Sequence, residues 1–295
     1  MVGSSPKQHW IERSRWELAL IRQAFPELRS YSLSGAWRLL YRHGVRYKRG
    51  RQYIHSPDEE YAEKLSSVRV VYRRCYLGEE EGVLLFGDEL TYYRQPSVSM
   101  EYAFAGRSQP LVRLGYTTNV ARRIVGVLDG LSGRVLYREG RRIGSNELVS
   151  FYEQVCKAFG CGKRIYLVED NWPVHFHWEV LEALEPQRYL KSVKVPGNWR
   201  KGKFGSEEGL CLPIQLLPLP TYAPWTNPIE KVWRRLRQEV LHHHQYEDRI
   251  WDLRDAVCTF LDQFSEGSEE LLRYVGLESR SGIYSSVFVQ EMVPP

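Results

Sequence analysis

A chain of 295 residues with 43% hydrophobic and 13% aromatic side chains is too apolar to be disordered and long enough for one large domain, or a large and a small one, each with its own core. No apolar run approaches the roughly 18 residues of a membrane span, and the first residues, MVGSSPKQHW, lack the apolar stretch of a secretory signal, so the expected place is the cytoplasm, without a membrane partner. The formal net charge is only +5, yet residues 1–57 hold eleven Lys and Arg against three Asp and Glu, which suggests a polyanionic partner, most often nucleic acid, with an ordinary solvated surface as the other reading.

The five cysteines form no CxxC pair and are odd in number, which argues against a disulfide framework and against a thiolate zinc site. Residues 10–24 read as a helix with Ile11, Leu18 and Ile21 among its apolar positions, stopped by Pro26. In SYSLSGAWRLLYRHGVRYKRGR, Ser34 suits an N-cap, Trp37 and Leu40 recur at helical spacing and Gly44 suits a stop. Arg38 and Arg42 then lie on the other face, with Arg46, Lys48, Arg49 and Arg51 behind them. This is the pattern of a helix-turn-helix recognition helix, although a small basic module can also bind protein. HSPDEEYAEKLSSV, with Pro57 and an acidic first turn, starts a new linking helix.

From residue 83 strand patterns take over. VLLFGDE is an apolar strand ending in Asp88 and Glu89; ARRIVGVLDG and GRVLYREG form a meander around the Gly130–Gly133 turn. SNELVSFYEQVCKAF reads as a helix capped by Ser145, KRIYLVEDN as a strand ending in Asp170, VHFHWEVLEALE as a helix and LPIQLLPLP as a strand. NPIEKVWRRLRQEVL closes the series as a helix with Ile229, Val232, Trp233, Leu236 and Val240 on one face. The expected organisation is a basic helical module (1–57), a linking helix (58–82), a mixed α/β domain (83–260) with an insertion near 186–212, and a C-terminal tail (261–295).

Asp88 and Asp170 each end an apolar strand, and Glu230 stands in the first turn of a helix. Were the two strands neighbours, all three carboxylates would meet at one sheet edge, where each pair of charges about 4 Å apart costs on the order of 4 kcal/mol. Such a cluster needs a cation, and hard oxygen donors select Mg2+ or Mn2+; two such ions support phosphodiester chemistry. Other readings stay open on spacing alone. Glu230 fits a capping box on the Asn227 backbone, with Pro228 at N1, and each aspartate fits a turn residue at a strand end.

LLFGDELTYY, YLVEDNWPVH and LPTYAPWTNPIEKVWRRL, in this order, closely resemble the three catalytic motifs of the DDE transposases of the mariner superfamily, particularly its bacterial insertion-sequence branch. AFAGRSQP and RRIVGVLDGLSGRVLY are similar to segments between that family's first and second motifs. The resemblance covers roughly residues 30 to 242. It implies a ribonuclease-H-like fold, a mixed sheet flanked by helices behind a small helix-turn-helix module, in which Asp88, Asp170 and Glu230 bind Mg2+ or Mn2+, two ions in all. Asn171 and His175 match the polar residues after the second aspartate, and Tyr222, Pro224, Asn227 and Pro228 the approach to the glutamate. It further implies a homodimer acting on double-stranded DNA at transposon ends and target.

Two departures stand out. Fifty-nine residues separate Asp170 from Glu230, more than this branch usually has, and the excess falls in a basic stretch that holds Lys191, Lys194, Arg200, Lys201 and Lys203 and no acid from Pro186 to Ser206. It suits a DNA-contacting hairpin or lid, with Lys201 as a contact, or a tolerated surface loop. The N-terminal region holds one helix-turn-helix unit where the family usually has two. Arg234, Arg235 and Arg237 either meet phosphates, Arg234 first among them, or are solvated. His242, His243 and His244 point about 100° apart on a helix and so do not form one metal site. Ser145 and Cys161 have no base partner, and the absence of GxxxxGK[ST] and GxGxxG leaves no call for a nucleotide cofactor. The expected function is Mg-dependent strand cleavage and strand transfer. Its alternatives are a catalytically inactive DNA-binding relative and a general metal-dependent nuclease.

Overall fold

The computed structural model describes residues 3–48, 56–104, 106, 109–160, 162–175, 177–184 and 211–277. Arg49, Arg51, Lys201 and nearly all of the expected insertion lie outside the described residues. The chain divides into two compact units, Met1–Tyr53 and Ile54–Pro295.

The first unit carries two helices, α1 (Leu18–Ala24) and α2 (Leu33–Arg42). Helix α1 is shorter than the pattern 10–24 suggests. The chain before it makes a 3-10 turn over Pro6–His9, and Trp10 takes a left-handed conformation. Trp16 is drawn out of helical register: its indole N–H donates to the Ser4 carbonyl at 2.8 Å and its ring packs against His9 and Phe25. Helix α2 is capped by Ser32 rather than Ser34, the Ser32 hydroxyl accepting from the Gly35 N–H at 3.0 Å. Its buried residue is Ala36, while the rings of Trp37 and Tyr41 meet at a tilt in the open, 5.2 Å between centroids. Gly44, at φ +75°, turns the chain where few other residues are at ease.

The second unit is a five-stranded mixed sheet with helices on both faces. Helix α3 (Tyr61–Tyr76) leads into β1 (Gly82–Tyr93), β2 (Ala121–Asp129) and β3 (Val135–Gly140), then α4 (Ser145–Phe159), β4 (Arg164–Glu169), α5 (Trp178–Ala183), β5 (Ile214–Pro218), α6 (Ile229–Leu236), α7 (Ile250–Asp262) and α8 (Glu269–Val275). The strand order is β3-β2-β1-β4-β5. Strands β1, β2 and β3 pair antiparallel, and β4 and β5 extend the sheet parallel to β1. Helix α3 buries Leu65, Val68 and Cys75 in this unit's core, and the stretch read as a tail supplies α8 with Leu271, Leu272 and Val275 buried. Helix α4 starts from Gly144, not from a Ser145 cap: the Gly144 N–H donates to Glu147 at 2.9 Å, leaving the Ser145 hydroxyl to donate to Glu179.

Alternation along the strands sorts side chains between two cores. Leu84, Phe86, Leu90 and Tyr92 of β1 and Tyr166 and Val168 of β4 face the core shared with α3, α6, α7 and α8. Leu85 of β1 and Ile165 and Leu167 of β4 face the core shared with α4 and α5. Among the described residues no helix is long and apolar enough to cross a membrane.

Candidate active site

Strand β1 does not end at Asp88. Its pairing with β4 stops at Phe86↔Val168, while its pairing with β2 continues through Asp88↔Gly126 to Tyr93↔Ala121. Asp88 and Asp170 each stand two residues beyond the last β1–β4 pair, on adjacent parallel segments and on the face that carries Phe86 and Val168. Helix α6 packs on that face through Ile229, Val232 and Trp233, and so delivers Glu230 to the same sheet edge.

The electrostatics report the meeting. Asp88 is pushed up to about 8 by burial first, then by the charges of Glu230, Glu89 and Asp170. Glu230 is raised by burial and by Asp170, against the pull of Arg237 and Arg234. Asp88 and Glu230, both hard to ionise, together with Asp170 make an all-oxygen donor set of the kind that suits Mg2+ or Mn2+. Among the described residues no group of three or more His, Cys, Asp or Glu side chains is placed so that it could hold a metal ion. Magnesium needs none, since one or two carboxylates plus water and phosphate oxygens complete its shell. The residues therefore fit the ion.

The capping-box reading of Glu230 is not what the structure contains. The Asn227 N–H donates to the Pro224 carbonyl at 3.0 Å, a 3-10 turn over Pro224–Thr226 having used it, and Pro228 takes the cap position. The Asn227 side chain instead donates to the Gly87 carbonyl at 2.8 Å. Asn171 donates to the Leu219 carbonyl and to Thr221 Oγ1, both at 3.0 Å, tying the loop after β4 to the loop after β5. Asp170 Oδ1 accepts from the Trp172 N–H at 2.9 Å.

His175, 1% exposed, lies on the opposite side of the sheet end. Its Nδ1 is 2.9 Å from Glu169 and its Nε2 is 3.4 Å from Glu89 and 3.6 Å from Asp170. Burial works against its charge, but Glu169 and Glu89 outweigh it and hold its pKa well above the ordinary value. Tyr152 donates to the Glu169 carboxylate at 2.7 and 2.9 Å. Sequence reasoning gave no role to Glu89, Glu169 or Tyr152. The signal was available in the doublets Asp88-Glu89 and Glu169-Asp170: on a strand, adjacent side chains go to opposite faces, so each doublet feeds two clusters.

Arg38, Arg42, Arg46 and Lys48 are exposed in the first unit; the Arg46 guanidinium lies over the Tyr41 ring, 3.3 Å from its centroid. Arg234 is exposed on α6, whereas Arg235 is held by Glu239 at 2.7 Å and Glu270 at 3.0 Å. The three histidines 242–244 do not extend an exposed helix end: His242 pairs with Ser97, His243 with Glu101, and His244 is buried and accepts from the Tyr246 N–H.

Residues 83–251 match the family described as DDE superfamily endonuclease. The chain belongs to that family. As a DDE endonuclease it is an enzyme of the kind that cuts and transposes DNA, and Asp88, Asp170 and Glu230 all fall inside the matched span. An uncharacterized 39 kDa protein of insertion element IS630 from Shigella sonnei is 22% identical over 267 residues, which cover 90% of this chain and 69% of that protein. Among solved structures, a pre-cleavage Mos1 transpososome matches with a TM-score of 0.58 at 15% identity over 90% of this chain and 76% of that chain. A Mos1 mariner paired-end complex with Mn matches with a TM-score of 0.55 at 16% identity over 89% and 75%. At such identities the likeness establishes the fold, and this DDE endonuclease has it.

Proposed function

We propose that this DDE-type transposase carries out metal-dependent strand cleavage and strand transfer at transposon ends, with Asp88, Asp170 and Glu230 as ion ligands. The observation that carries the reading is placement: Asp88 and Asp170 stand on adjacent parallel segments, each two residues past the last β1–β4 pair, and α6, which bears Glu230, packs on that face with the Trp233 indole N–H donating to Asp88. Bound Mg2+ or Mn2+, two ions in this proposal, supplies charge neutralisation and activation of water and then of a DNA 3′-hydroxyl at a phosphodiester. The chain's own work is positioning: the β1 and β4 ends fix the two aspartates, and α6 brings in Glu230. Catalysis needs no protein nucleophile. The Mos1 complex solved with Mn supports this choice of ion.

Residues 1–57 form the DNA-binding module in this reading, through exposed Arg38, Arg42, Arg46 and Lys48, joined by residues 58–82 to a catalytic domain that acts as a homodimer in the cytoplasm. Arg234 on α6 meets a phosphate beside Glu230. Asn171, His175, Asn227 and Pro228 support the ligands without touching DNA. The test is nicking and joining of duplexes carrying the element's terminal repeats with Mg2+. Wild-type activity that disappears in Asp88→Asn and in Glu230→Gln supports the proposal; activity surviving in either removes the triad from the mechanism. Cleavage without preference for the repeats marks a general nuclease, and binding without cleavage an inactive relative.

A further inference from the structure

The third motif touches the first at two points. From one end, the Asn227 side chain donates to the Gly87 carbonyl at 2.8 Å. From the other, the indole N–H of Trp233 donates to Asp88 Oδ2 at 2.9 Å. Glu230 stands midway, three residues from each, and on a helix Glu230 and Trp233 share one face a single turn apart. Both donors are out of solvent, Trp233 at 0% and Asn227 at 3% exposure. The seat of the indole is shaped from the opposite strand as well. Gly126 is the register partner of Asp88, and a Cβ on it would lie 2.9 Å from Trp233 Cη2, so the ring lies against bare backbone.

We infer that Trp233 is a positioning residue for the metal-ligand carboxylate of Asp88, and that Asn227 and Trp233 together set the height and rotation of Asp88 against Glu230. A buried indole N–H requires an acceptor, and a backbone carbonyl would satisfy it. Here the acceptor is instead Asp88 Oδ2, a side-chain oxygen that could otherwise rotate freely about the Cβ–Cγ bond. A directional bond from a ring wedged between α6 and β2 holds it in place. Asn227 fixes the strand one residue earlier, so a shift of α6 would carry Glu230 and Asp88 together and keep their spacing.

This inference rests on the triad reading of the preceding section, and the experiment separates the two. Full-length protein is titrated with Mn2+ and free ion is read by electron paramagnetic resonance, for wild type, Asp88→Asn and Trp233→Phe, with melting in EDTA as the fold control. Trp233→Phe keeps a ring and removes the N–H. The expected result is Mn2+ binding by wild type, its loss in Asp88→Asn, and about tenfold weaker binding in folded Trp233→Phe, the scale typical of groups that orient a ligand. A ring needed only for packing would move the melting temperature and leave the Mn2+ affinity alone. Wild-type affinity in folded Trp233→Phe overturns the positioning role and leaves the triad standing. No Mn2+ binding by wild type, or unchanged binding in Asp88→Asn, overturns the triad and the positioning role with it. Should Trp233→Phe not fold, wild-type protein with 15N-labelled indoles decides. The indole signal that shows cross-relaxation to Gly126 shifts on Mg2+ titration if the inference holds, and its failure to move at saturation overturns it.

Discussion

The sheet ends in two acidic clusters, one on each face, built from adjacent residues and opposite in character. On the α4 face, Glu169 and Glu89 enclose His175, and Tyr152 donates to Glu169; a cation stands among the carboxylates, although burial still raises the pKa of Glu89. On the α6 face, Asp88, Asp170 and Glu230 confront one another, and the cations that act on Glu230 are Arg234 and Arg237 on its own helix. A buried carboxylate with its own cation is an element of structure, costly to break. One pressed against other carboxylates ionises only with difficulty. The chain thus places a cluster that holds its own cation directly behind one whose cations, Arg234 and Arg237, lie on α6 and at its end.

If that contrast is right, mutations on the two faces fail in different ways. The largest expected effect is on the α6 face. Asp88→Asn lowers metal-dependent DNA cleavage on the order of a thousandfold, the scale of losing a central electrostatic element of a site. It also raises the melting temperature of the metal-free protein at pH 7, because a carboxyl whose folded pKa is held up to about 8 must take up a proton on folding and an amide need not. Cleavage assays beside melting in EDTA measure both; a fall in metal-free stability would place Asp88 among the structural carboxylates.

On the α4 face the order reverses. His175→Leu leaves Glu169 and Glu89 buried without their cation and costs about 3 kcal/mol of folding stability in urea titrations, with or without metal. A variant as stable as wild type would mean that the two glutamates are not charged in the folded protein, and the two faces would then differ less than their composition suggests.

This contrast also marks how far the sequence could be read. The five strands and the helices between them were legible, because apolar runs encode them, and three motifs with distinctive spacing singled out Asp88, Asp170 and Glu230. The end of β1 was not. VLLFGDE breaks its apolar pattern at Asp88, yet pairing with β2 runs on to Tyr93, and a strand that loses one neighbour while keeping the other leaves no local trace. Asn227 has the composition of a helix cap, but its side chain bonds Gly87, 140 residues away in sequence. Trp233 reads as one more apolar position on α6; that its N–H faces a carboxylate is a tertiary fact. The same holds for Trp37 of α2, which recurs with Leu40 at helical spacing and yet lies exposed.

A third kind of carboxylate sharpens the comparison at smaller scale. Asp58, beside the start of α3, accepts from Lys64 Nζ and the Thr221 N–H, each at 2.8 Å, and from the Glu60 N–H at 3.0 Å. Burial raises its pKa, but these donors prevail and bring it down to about 2. A folded pKa below the unfolded one, near 4, means stability that is present above pH 4 and lost as pH falls toward 2. Asp58→Asn therefore removes about 2 kcal/mol at pH 7 and almost nothing once the pH lies below the folded pKa. Unfolding midpoints across that range measure it, and a constant difference would detach the effect from the carboxylate's charge.

The smallest effect separates two neighbours on one helix. Arg235 is already engaged by Glu239 and Glu270, so it has little to offer a phosphate, whereas Arg234 is exposed and acts on Glu230. Each phosphate neutralised on duplex DNA contributes about 0.9 to the slope of log affinity against log salt concentration. Arg234→Ala should lower that slope by about this amount with little change in melting temperature. Arg235→Ala should leave the slope alone and cost up to about 1 kcal/mol of stability, the range for exposed ion pairs. Equal slopes for Arg234→Ala and wild type would take DNA away from this turn of α6, and the basic residues near Glu230 would then serve the carboxylate alone.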